Sequence, residues 1–131
     1  MKKTIITLAA LTTLSISAFA SNDLYDSKTE KYENLRMEVK NATNSDWSTP
    51  FKAAQVCLRD QKNISEAYTW IEQSLKVKET SENLELKGDY LALHGLDEMA
   101  FEHYQKALSL KIAKGQNDFE AIQTKILALK K

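Results

Sequence analysis

Three observations predict an all-α fold of paired helices for this chain. Only three glycines and one proline occur among 131 residues, so little interrupts the long runs rich in Ala, Leu, Lys and Glu, residues at home in helices. Apolar residues recur at steps of three and four along most of the chain, which marks one buried stripe per helix. A pattern of small and apolar positions also returns after 33 residues: Ala54, Leu58, Ala67, Ile71 and Ser74 are followed by Lys87, Leu91, Ala100, Tyr104 and Ala107. Stacked copies of one supersecondary unit leave such a trace.

The first helix is expected from about Leu24 to Lys40, charge-rich, with Tyr32, Leu35 and Val39 as a narrow apolar stripe. The polar run Asn41 to Asp46 ends it. The second opens at Ser48 or Thr49, with Pro50 early in the helix where its missing N–H is not needed, and buries Phe51, Ala54, Cys57 and Leu58. Asn63 and Glu66 have the spacing of a capping box for the third helix, which buries Ala67, Trp70, Ile71 and Leu75. Ser81 is the expected cap of the fourth, with Leu84, Gly88 and Leu91 inward. The fifth starts at Asp97, with Met99, Ala100, Phe101, Tyr104, Leu108 and Ile112 as its expected apolar stripe. Asn117 and Glu120 suggest a second capping box, opening a last helix with Phe119, Ile122, Ile126 and Leu129 on one face.

Gly88, Leu91, Gly95, Ala100, Tyr104 and Ala107 fall at the small and aromatic positions of the tetratricopeptide repeat, which this region resembles. Gly88 permits close helix approach, and Gly95 suits a helix C-cap with φ > 0. The copy departs from the pattern at Lys87, where a large apolar residue is usual, and at Ile112, where proline is common. The earlier copy is more drifted, with Gln55 and Gln61 in place of glycines. The resemblance implies a short right-handed solenoid, with units at about 47–79 and 80–113 and a capping helix at about 117–131. From Trp47 onward the chain is also similar to the helical C-terminal part of an uncharacterised exported bacterial family, a domain of unknown function. Trp47, Ala53-Ala54, Cys57-Leu58, Asn63, Glu66-Ala67, Trp70-Ile71, Gly95 and Asp118-Phe119 carry that similarity. The β-rich part that precedes the helices in that family has no room here.

Residues 1–20 read as a bacterial secretory leader: Lys2 and Lys3, an apolar stretch from Ile5 to Ala18, then Ala18-Phe19-Ala20 before a cleavage site after Ala20. The stretch is short and Thr/Ser-rich for a membrane span, and a periplasmic or secreted protein without stable membrane insertion is expected. The remaining 111 residues divide into a charged helix and linker at 21–46 and a helical domain at 47–131. Loss of Lys2 and Lys3 changes 18 basic against 18 acidic residues to 16 against 18, net −2 and evenly mixed. Nucleic acid, which selects a concentrated basic face, is therefore not an expected partner.

No phosphate loop, nucleophile elbow or metal-ligand spacing is present, so no enzyme, cofactor or metal is expected. His94 and His103, nine residues apart, do not make a metal pair. Cys57, the single cysteine, excludes an internal disulfide and reads as a small buried hydrophobe. The resemblance implies a concave face lined by the first helix of each unit. That face carries Lys52, Val56, Arg59 and Asp60, then Glu82, Glu85, Leu86, Asp89 and Leu93, as a candidate groove for a protein or peptide. Val56 and Leu86 stand where a carboxylate clamp would need asparagine. Charge reversal of Glu85 and Asp89 is expected to spare stability and weaken capture. The expected function is an exported, non-enzymatic protein-binding adaptor. The alternative is a structural module that closes a homodimer through its apolar helix faces.

Overall fold

A computed structural model describes the backbone of residues 19–129, with side chains from residue 29. Within that span the chain is all-helical: α1 (Phe19–Asn41), α2 (Ser48–Asp60), α3 (Ile64–Val77), α4 (Ser81–Leu93), α5 (Asp97–Ala113) and α6 (Glu120–Ala128), with no strand among the described residues. Most of the expected leader therefore lies outside the described residues. The chain divides into two compact units, 1–33 and 34–131, with the boundary inside α1. The second unit keeps the C-terminal turns of α1, where Val39 is buried and Arg36 makes a two-pronged ion pair to Glu66 of α3, at 2.6 and 2.7 Å. The Arg36 guanidinium beside Glu66 holds that carboxyl below its ordinary range.

Adjacent helices pack pairwise, α2 on α3 and α4 on α5, in keeping with a helical repeat. Between α2 and α3 the core is Ala53, Ala54, Cys57, Ala67, Trp70 and Ile71, with Cys57 fully buried. The second pair buries Leu84, Leu91, Ala100, Tyr104 and Ala107, and Ile122 of α6 completes that cluster; Met99, Phe101 and Ile112, expected on the same stripe, lie off the α4-facing side of α5 and are exposed. Small residues on α5 make the approach close. Gly88 faces the ring of Tyr104, and a Cβ there would lie 2.6 Å from Cδ1.

The helix starts differ from the sequence expectation. Asp46, assigned to the linker, caps α2: its carboxylate accepts from the Ser48 and Thr49 amides at 2.8 and 3.1 Å and from the Thr49 hydroxyl at 2.6 Å. Asn63 makes no side-chain cap because it adopts φ 51°, whereas a capping side chain needs an extended N-cap. Its expected partner Glu66 turns to Arg36 instead. Thr80, not Ser81, caps α4 in a complete capping box with Asn83. The expected box at α6 is also absent: Phe119 precedes the helix without a side-chain cap, and Asp118 pairs with Lys111 at 2.6 Å.

Three helices end in one way. Leu96 N–H reaches Leu91 C=O and Gly95 N–H reaches Ala92 C=O, each at 3.0 Å, around Gly95 at φ 71°. This paired closure is the Schellman motif, and it recurs at Gly115, φ 69°. At the end of α2 the same two bonds form around Gln61, φ 50°, so a glutamine holds the glycine conformation. Left-handed backbone costs a residue with a Cβ about 1–2 kcal/mol, against about 0.5–1 kcal/mol for the greater freedom of an unfolded glycine. Gln61→Gly should therefore stabilise the fold by about 0.5–1 kcal/mol. An unchanged or lower urea midpoint would show that the exposed Gln61 side chain contributes more than its strain removes.

Candidate functional site

The candidate groove residues do not share one fate. Lys52 and Arg59 on α2 are exposed, as are Glu82 and Leu93 on α4, the latter 49 % exposed. Val56 is half-buried, and Asp60 accepts from Arg59 at 3.2 Å. Leu86 is buried, at 6 % exposed, and packs into the protein instead of lining a surface. Glu85 and Asp89 are held by a residue of the last helix that lies outside its apolar stripe. Lys125 of α6 donates to Glu85 Oε1 and to Asp89 Oδ2, both at 2.7 Å. The other Asp89 oxygen accepts from the Tyr104 hydroxyl at 2.9 Å.

Lysine, tyrosine and two carboxylates thus converge where α4, α5 and α6 meet, beside a cleft of about 260 Å³ lined by Gly95, Asp97, Tyr104 and Lys125. Such a cluster invites an enzymatic reading. Its members are bonded to one another. Burial pushes the Tyr104 phenol well above its ordinary range, and the Asp89 charge beside it adds to the shift. Burial opposes the Lys125 charge, but its bonds to Asp89 and Glu85 outweigh that and leave its pKa raised. Every polar group in the cluster is satisfied by another, and the arrangement fastens α6 to α4 and α5. Reversing Glu85 and Asp89 would place them against Asp89's bound phenol and Lys125, so the expectation of unaltered stability does not hold for these two residues.

A second region was missed by sequence reasoning. An open groove of about 780 Å³ runs between α3 and α5 over the start of α4, with Leu75 and Leu84 in its floor and Lys76, Glu79, His103 and Lys106 around it. Beyond Lys106 it continues into a further hollow of about 590 Å³ that reaches Leu110. Lys87, the departure from the repeat pattern, lies at its edge. The Lys87 stem is buried while its ammonium pairs with Glu72 and sits 3.9 Å from the Tyr68 ring centroid. A lysine thus fills an apolar position by burying its methylenes and presenting its charge to an aromatic face. The ring row continues from Tyr68 to Tyr90 at 5.1 Å and from Tyr90 to His94 at 4.3 Å. The one cue for this groove in the sequence was the lysine itself.

His94 follows the last residue of α4, its Nδ1 bonded to the Tyr90 carbonyl at 2.8 Å, while His103 bonds to the Met99 carbonyl at 2.9 Å. Among the described residues no three His, Cys, Asp or Glu side chains gather as metal ligands, and no helix is long and apolar enough to cross a membrane. No family model matches the chain, and neither a curated protein nor a solved structure shows significant similarity to it.

Proposed function

We propose that this chain is an exported, non-enzymatic protein-binding module: a short tetratricopeptide-like right-handed stack that presents a side-chain groove to a protein or peptide. The observation that carries the reading is the α3–α5 groove, where the half-buried Leu75 lies among the charged side chains of Lys76, Glu79 and Lys106 and offers apolar contact with polar selectivity in one place. The exposed Lys52, Arg59, Glu82 and Leu93 of the first helices form a second, shallower surface in the same reading. Export, to the periplasm or beyond, rests on the leader-like residues 1–20.

Capture of partners from a periplasmic extract by the chain from Ser21 onward tests the proposal when compared with a Lys76→Glu/Lys106→Glu double variant. Both lysines are exposed, so reversal should shift stability by no more than about 0.5 kcal/mol per site. A captured protein that is lost with the variant, at equal melting midpoint, is the expected outcome. Equal capture by both would remove the groove from the function.

A further inference from the structure

The apolar stripe of α5 does not stop where α5 stops. Leu108, Ile112, Gly115, Phe119, Ile122, Ile126 and Leu129 follow one another at steps of four, three, four, three, four and three. That is the spacing of a single uninterrupted helix with one seam, although the chain breaks between Ala113 and Glu120. The break leaves the stripe partly uncovered, with Ile112 58 % exposed. It is also lightly built. Residues 113–118 are exposed, the turn is closed by the Gly115 motif and by Lys111–Asp118, and α6 begins without a side-chain cap.

The seat of α6 is by contrast specific. It buries Ile122 completely, packs Ile126 and Leu129, and aims Glu85 and Asp89 at Lys125. The helix known to satisfy that seat is α6 itself, and a second copy of the chain carries the same helix.

We propose that two copies of this chain exchange α6: residues 114–119 become helical, α5 and α6 join into one helix, and each α6 takes the Glu85–Asp89 seat of the other copy. The seat contacts are the same in both states, so exchange leaves no buried group unsatisfied. A helix over 97–128 is ~48 Å long at 1.5 Å per residue, enough to carry α6 away from its own seat. The straightened stripe then presents Ile112, Gly115 and Phe119 toward its symmetry mate, with Gly115 allowing close approach at the crossing. Helix-poor Gly115, Asn117 and Asp118 disfavour the joined helix and keep the closed monomer in competition. This inference does not depend on the groove reading, and it gives the self-associating alternative a defined route.

Native mass spectrometry and light scattering over a concentration series test it. Gly115→Ala removes the residue that tolerates φ 69° and favours the joined helix in both chains, so dimer association should rise at least about tenfold. An unaltered mass distribution, with helix content intact by circular dichroism, would overturn the proposal. The second arm refolds a Lys125→Glu chain together with a Glu85→Lys/Asp89→Lys chain. Each alone sets like charges against each other in a closed monomer, whereas exchange between the two restores an opposite-charge seat at both ends. A predominant 1:1 heterodimer is expected. Dimers that ignore this pairing would indicate face-to-face association without exchange and overturn the proposal. If the charge variants do not refold, Gly115→Ala alone decides.

Discussion

Asn83→Leu should lower the unfolding free energy by about 3–5 kcal/mol, a large part of the roughly 5–15 kcal/mol typical of one domain. Asn83 is fully buried and serves three neighbours at once. Its Oδ1 accepts from the Thr80 amide at 2.8 Å, and its Nδ2 donates to the Lys78 carbonyl at 2.8 Å and to Ser74 Oγ at 3.0 Å. Leucine keeps its branching, is bulkier, and removes all three partnerships; the Thr80 amide and the Lys78 carbonyl are stranded at a penalty of about 1–3 kcal/mol each, while Ser74 keeps its bond to the Trp47 carbonyl. The capping box of α4 loses its reciprocal half in the same step. Chemical unfolding followed by helix signal gives the number. A loss below about 1 kcal/mol would mean that water replaces the amide and that the bonds are dispensable.

Gly88→Ala should also destabilise, by about 1–3 kcal/mol. The sign is decided by two opposed effects. Alanine is the better helix residue by about 1 kcal/mol in a helix interior. Its methyl group, however, would enter the Tyr104 ring, which is wedged against α4 with its hydroxyl tied to Asp89. Tyr104 can yield only by leaving Asp89, and that also loosens the carboxylate that holds Lys125. Overpacking therefore exceeds the propensity gain, and the melting midpoint should fall together with the protection of α6 amides against exchange. A raised midpoint would show that the α4–α5 crossing has room, and the close approach assigned to Gly88 would be wrong.

The helices were legible in the sequence because their apolar stripes are periodic and long, and the ends of α4 and α5 because glycine marks them. Gly88, Ala100, Tyr104 and Ala107 fall at the α4–α5 crossing that the 33-residue pattern implied. The starts were less legible. A capping box is a statement about backbone angles as well as residue types, and Asn63 has the right side chain on the wrong φ. Asp46 and Thr80 were interchangeable with their neighbours until the chain direction into the helix was known. The candidate surface was less legible still. Spacing places Glu85 and Asp89 one turn apart on one face of α4, with Leu86 beside them, but which face meets α6 depends on a helix more than thirty residues away. Lys125 could not be paired with Glu85 from a list of charges, since the chain offers 18 acidic residues. The α3–α5 groove belongs to two helices that do not adjoin in sequence, and its rim charges read separately as solvated faces.

The Asn83 amide has one more property. Ser74, which accepts from it, donates in turn to the Trp47 carbonyl at 2.8 Å. One line of hydrogen bonds therefore runs from α4 through α3 to the entrance of α2 and crosses the boundary between the two helix pairs. Repeat stacks generally open from their ends, because each unit is held to the next mainly by apolar contact that can be shed piecemeal. Here the junction holds a polar relay that is complete or broken, with no half-open state of comparable energy. Thermal fraying that begins at α6 should halt before the α4–α5 pair, which Asn83 ties to α3. The two pairs then melt as one body, and partial unfolding is confined to the C-terminal segment whose exchange would build a dimer.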